Sequence, residues 1–99
     1  MTETPIERAV RITHDVGLHA RPSVKLTKLA KSFAADIKLR TESDAAGWID
    51  AKSIVKVMAL RIGAGETLVI RAEGTDADAA IAALAGLVQR DFDEAQADV

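Results

Sequence analysis

Glu66-Thr67-Leu68-Val69-Ile70-Arg71-Ala72 is the stretch of the chain that most clearly indicates a β-strand. Its residues alternate, so that Leu68 and Ile70 fall on one face and Val69 and Arg71 on the other. A strand of a parallel sheet that is covered on both faces reads as a continuous apolar run, which this stretch does not show. The stretch therefore favours an antiparallel sheet with its helices on one side.

Strand and helix patterns on either side of this stretch complete the fold. Strands are predicted at 6–13, 36–40 and 48–50. Helices are predicted from Ala20 or Arg21 to Phe33 or Ala34, from Ala51 or Lys52 to the Gly63-Ala64-Gly65 turn, and after Gly74 with Thr75 as the cap. The order βαββαβα predicts an α+β open-faced sandwich, a four-stranded antiparallel sheet with three helices on one face.

Composition excludes several classes of function. A net charge of -2 and an aromatic fraction of 3% disfavour nucleic acid binding, including a small RNA-binding domain. The chain has no Cys and two His, and it lacks a glycine-rich phosphate loop, so we expect no metal site and no cofactor. Neither a signal peptide nor a membrane span is visible, which predicts a cytoplasmic protein with no membrane partner.

The candidate site is the stretch Gly17-Leu18-His19-Ala20-Arg21-Pro22-Ser23. It places His19 directly before a predicted helix N-terminus, where free backbone N–H groups, including that of Ala20, and the helix dipole stabilise an anion. Arg21 adds a cation, and Pro22 is well tolerated in a first helical turn. A neutral imidazole can attack phosphorus and later act as a leaving group. The stretch therefore predicts a phosphoryl acceptor at His19.

Two serines have two interpretations each. Ser23 is either a hydrogen-bond donor to the phosphoryl group or an ordinary hydroxyl at the start of a helix. Ser53 is either the N-cap of the second helix or a phosphorylated residue that changes the charge of a surface flanked by Ile54, Val57 and Met58. These apolar side chains belong either to the core or to a partner-binding surface, for which Ile54 and Met58 are the candidates. His14, which no Arg-Pro follows, is interpreted as a loop residue.

Gly17–Ser23 and Asp50-Ala51-Lys52-Ser53-Ile54 resemble the two signature regions of the HPr phosphocarriers of the bacterial phosphoenolpyruvate-dependent phosphotransferase system. The resemblance extends from about Ile6 to Glu94, the expected core of a single domain spanning 1–99, and implies the same βαββαβα sandwich. The ending Asp91-Phe92-Asp93-Glu94 resembles the nitrogen-related, NPr-like branch.

The resemblance also implies a function for each candidate residue. His19 would accept phosphate on Nδ1 from phosphorylated Enzyme I and pass it to a IIA-type protein, with Arg21 as the charge partner. Ser53 matches the serine that an HPr kinase modifies. We therefore expect a monomeric phosphohistidine relay, not a stand-alone enzyme. The alternative is a regulatory binding protein that phosphorylation switches and that reports nutrient or nitrogen state to its partner.

Overall fold

The computed structural model describes residues 5–12, 20–44, 47–60, 62–63 and 65–89. Its elements follow in the order β1 (Ile6–Arg11), α1 (Ala20–Lys31), β2 (Asp36–Thr41), β3 (Ile49–Asp50), α2 (Ile54–Ala59), β4 (Thr67–Glu73) and α3 (Ala77–Gln89). This is the predicted βαββαβα order, and the predicted fold class is confirmed.

The stretch with the strongest strand pattern forms β4, in the interior of the sheet. The strand order is β1-β4-β2-β3, and β4 is antiparallel to both of its neighbours. Leu68 lies opposite Val10 of β1, and Ile70 lies opposite Leu39 of β2. Because side chains paired across a ladder point to the same face, this register collects the apolar residues on one side of the sheet.

The core lies between that side of the sheet and the helices. α3 packs on β1, β4 and β2, whereas α1 packs on α2 and α3, and α2 contacts β3. The largest side chains that are fully buried are Ile12, Leu26, Ile37, Leu39, Ile62, Leu68, Ile70 and Leu84. Within the described residues, no helix is long and apolar enough to cross a bilayer.

α1 ends earlier than predicted because a distant carboxylate binds the backbone that follows it. The helix stops at Lys31, not at Phe33 or Ala34. The Ala34 N–H donates to Asp76 Oδ2 and the Ala35 N–H donates to Asp76 Oδ1, both at 2.8 Å. Two amides bound by one carboxylate cannot also continue the helical ladder. The chain therefore turns into β2 at this point.

The same aspartate corrects the predicted cap of α3. That helix begins at Ala77, and the Ala80 N–H donates to the carbonyl of Asp76 at 2.9 Å. Asp76 is therefore the N-cap residue, and the prediction of Thr75 is wrong. The side chain of Thr75 is exposed.

Candidate phosphoryl-transfer site

The N-terminus of α1 has the polarity that an anion requires. The helix begins at Ala20, so the backbone N–H groups of Ala20 and Arg21 have no acceptor inside the helix, and Pro22 has no N–H to satisfy. No acidic residue lies in this first turn, while the last turn carries Lys28 and Lys31, which complement the dipole. The N-terminus of α1 therefore attracts negative charge.

The predicted nucleophile precedes this helix directly in the sequence. His19 lies outside the described residues, as do Gly17 and His14, and the Arg21 side chain is not described either. What the structure contributes is the position of the next residue, because Ala20 is the first residue of α1. The roles of His19 and Arg21, and of the Ala20 amide as a phosphate donor, stay predictions.

Burial fixes the first turn of α1 against the protein. Pro22 is buried and Ser23 is 0% exposed. The hydroxyls of Ser23 and of Thr27, one turn further along, have no hydrogen-bond partner among the described residues. The Ser23 hydroxyl is therefore buried with its hydrogen-bonding capacity unused among the described residues, and its contact with a phosphoryl group stays a prediction.

Ser53 is the N-cap of α2, which confirms one of its two interpretations. Its backbone is extended (φ -107, ψ 111), and its Oγ accepts a hydrogen bond from the Lys56 N–H at 3.4 Å. α2 begins at Ile54, later than the predicted start at 51 or 52, because the Lys52 N–H donates to Asp50 Oδ1 at 2.9 Å and holds that segment in a turn. Phosphorylation of Ser53 stays a prediction.

Exposed apolar side chains lie on the two helices that pack against each other, α1 and α2. Val24 of α1 is 52% exposed, and on α2 Val55 is 74% and Met58 42% exposed. Ile54 is half-buried. The sequence places Ile54, Val57 and Met58 at this surface, but Val57 is fully buried in the core, so its placement is wrong. The sequence does not indicate Val55, which falls off the apolar stripe. We call Val24, Val55 and Met58 the apolar helix surface.

The chain matches, over residues 6–90, the family described as "PTS HPr component phosphorylation site". The chain belongs to the HPr family. The match spans all four strands, all three helices and the stretch that contains His19. Within the described residues, no group of three or more His, Cys, Asp or Glu could hold a metal ion.

Phosphocarrier proteins named NPr and proteins named HPr are both similar to the chain. The phosphocarrier protein NPr of Shewanella violacea is 40% identical over 92 residues, covering 93% of this chain and 98% of the relative. The phosphocarrier protein HPr of Cupriavidus necator is 38% identical over 91 residues, covering 92% of this chain and 99% of the relative. The solved HPr of Thermoanaerobacter tengcongensis is similar in structure, with a TM-score of 0.81 and 32% identity, covering 88% of this chain and 94% of that one.

Proposed function

We propose that this protein carries a phosphoryl group on Nδ1 of His19, which it receives from phosphorylated Enzyme I and passes to a IIA-type protein. The observation that carries the proposal is the start of α1 at Ala20, immediately after His19 in a region that matches the HPr family. A helix N-terminus with two amides that have no acceptor inside the helix, and with no acidic residue in its first turn, stabilises an anion by about 0.3–1 kcal/mol at an exposed site.

The transfer step needs little from the protein beyond position and charge. The lone pair of the neutral His19 Nδ1 attacks phosphorus, a new N–P bond forms, and the donor's bond to phosphorus breaks with its electron pair leaving on the donor. The proton on Nε2 stays in place throughout. Arg21 and the N–H groups of Ala20 and Arg21 balance the charge of the phosphoryl oxygens, and Ser23 is a further donor in this proposal. The reverse chemistry delivers the group to the acceptor.

The apolar helix surface supports docking to both partners. Val24, Val55 and Met58 expose apolar area on α1 and α2, and the predicted contact residue Ile54 lies on the same short helix. A site that passes one group between two proteins must release each partner, and a small apolar surface is consistent with such transient contacts. In this proposal the protein is a cytoplasmic monomer, and an HPr kinase acting on Ser53 would place charge at the amino end of α2.

The relatives do not distinguish transport from regulation, because proteins named NPr and HPr match at 40% and 38% identity. A regulatory role, in which phosphate on His19 selects a partner, is therefore the second candidate function. Partner capture with phosphorylated and free protein separates the two: recovery of IIA-type acceptors alone supports the carrier, and a different partner that binds only one form supports the regulator.

Intact-mass measurement tests the carrier directly. Incubation with phosphoenolpyruvate and Enzyme I is expected to add one phosphate that acid removes. His19→Ala should abolish the addition and His14→Ala should retain it. An unmodified wild-type protein, or a phosphate that persists in His19→Ala, would contradict the proposal. Arg21→Ala and Ser23→Ala should slow the transfer without changing the site.

A further inference from the structure

The sheet face opposite the helices carries a cluster of two arginines and a tryptophan. Arg40 of β2 and Arg71 of β4 alternate with the buried residues of their strands, so they point away from the core. The guanidinium carbon of Arg40 lies 4.9 Å from the centre of the Trp48 ring, and that of Arg71 lies 5.7 Å from it. We call these three residues the Arg–Trp cluster.

The cluster is ordered before any ligand arrives. Arg40 Nη1 donates to the carbonyls of Thr41 at 3.0 Å and Glu42 at 3.2 Å, which fixes its guanidinium in one place. Trp48 precedes the edge strand β3, and its ring extends across β2 to Arg71 on β4. Val69, which lies next to Arg40 on this face, is only 5% exposed. Arg40 is therefore held in place, and Arg71 lies near the same ring above a buried valine.

Charges around the cluster leave its arginines without acidic partners. Lys38 lies directly opposite Arg71 in the sheet, a like-charge pairing that costs stability. Glu7 also lies opposite Arg71 on β1, yet the two form no ion pair. Across the described residues, the ion pair present is Lys38–Asp36 at 3.7 Å. Arg71 therefore stacks on Trp48 and leaves its hydrogen-bond donors available.

We propose that the Arg–Trp cluster is a docking site for an acidic segment of a partner protein. Guanidinium groups bind carboxylates through paired, charge-assisted hydrogen bonds, and arginine and tryptophan are the residues that most often dominate the free energy of protein contacts. A carboxylate placed at Arg71 would also relieve the repulsion between Arg71 and Lys38. Arg40, whose Nη1 is already bound and whose Nε is buried, holds the tryptophan ring in place.

A protein segment fits this face better than a nucleic acid does. By their register, Glu7, Asp36, Asp50 and Glu73 lie on the same face around the cluster. They would repel a continuous phosphate backbone, and the net charge of the chain is -2. The same groups restrict a protein segment to one carboxylate at Arg71, with the rest of the segment outside the acidic ring. The site lies on the opposite side of the sheet from the apolar helix surface, so both could be occupied at once.

The single tryptophan of the chain gives a direct measurement. We would titrate the full-length protein with a blocked peptide of alternating Glu and Gly and follow the fluorescence of Trp48. The expected result is a saturable change that weakens as salt is added. Arg71→Gln should weaken binding about tenfold, the loss expected for one charge-assisted contact. Lys28→Gln, on the exposed side of α1, is the matched control and should bind as the wild type does.

Two further measurements show where the peptide binds and whether the Arg71→Gln variant is folded. Backbone amide shifts in NMR spectra should change at Lys38, Arg71 and Trp48 but not at Ala20, and circular dichroism should show that Arg71→Gln remains folded. Equal binding of a Gln–Gly peptide, or an unchanged affinity in folded Arg71→Gln, would overturn the proposal. Tighter binding of a single-stranded oligonucleotide at the same residues would assign the site to nucleic acid and overturn it as well.

Discussion

Replacing Asp76 with Ala is expected to destabilise the protein, because this residue links the end of α1 to the start of α3. Its carboxylate accepts hydrogen bonds from the Ala34 and Ala35 N–H groups, both at 2.8 Å. A hydrogen bond to a charged group contributes about 1.5–3 kcal/mol when it is shielded, and less where water replaces it. The Ala34 bond is exposed and the Ala35 bond is partly buried, so their sum is about 2–3 kcal/mol.

The loss should be visible in urea unfolding as a lower midpoint with an unchanged slope, and in heating as a fall in Tm of roughly 10–20 °C. Asp76→Asn keeps one acceptor oxygen, so it should lose about half as much. Thr75→Ala removes an exposed side chain that caps nothing, and it should change stability by less than about 0.5 kcal/mol. If Thr75→Ala costs as much as Asp76→Ala, our assignment of the cap and of the α1–β2 link is wrong.

Three other substitutions test separate parts of the structure. Gly74→Ala should cost about 1–3 kcal/mol in thermal unfolding, because Gly74 has φ +143 and a Cβ there would lie 3.0 Å from the Ala35 Cα; an unchanged Tm would refute this. Ser53→Ala should cost about 1 kcal/mol in urea unfolding while Ser53→Asp, which can still cap α2, stays near wild type; equal stability of all three proteins would contradict the cap. Val55→Ser should slow phosphoryl transfer several-fold at unchanged stability, with exposed Ala82→Ser on α3 as the control, and an unaltered transfer rate would remove Val55 from the docking surface.

Sequence patterns that extend over only a few residues predict most of the fold. Alternation predicts β4 with its two faces, and the position of Pro22 predicts the start of α1 at Ala20 or Arg21, of which Ala20 is correct. The cap interpretation of Ser53, one of two, is confirmed, because capping depends on residues only three positions apart. Each of these features is determined by neighbours along the chain, which a single sequence displays.

Contacts between distant residues account for what the sequence did not show. The residue that ends α1, Asp76, lies more than forty positions away in the sequence. The apolar spacing within α1 therefore does not predict the length of that helix. The sequence predicts Trp48 as part of a strand but gives no sign of its contact with Arg71. That contact exists because β4 lies next to β2 in the sheet. Val55 lies off the apolar stripe of α2, and the stripe shows which residues face the core but not which exposed residues contact a partner.

The strand order has a consequence for how the protein is made. β1 has no sheet partner until β4 exists, and β4 also provides the long edge on which β2 pairs. A ribosome must therefore synthesise the chain through Glu73 before the sheet can close. Until then β1 has no partner in the sheet, and β2 is paired only with the two-residue strand β3. Nascent chains stalled before Thr67 should be degraded readily by protease, and resistance should appear only once β4 and α3 have left the exit tunnel.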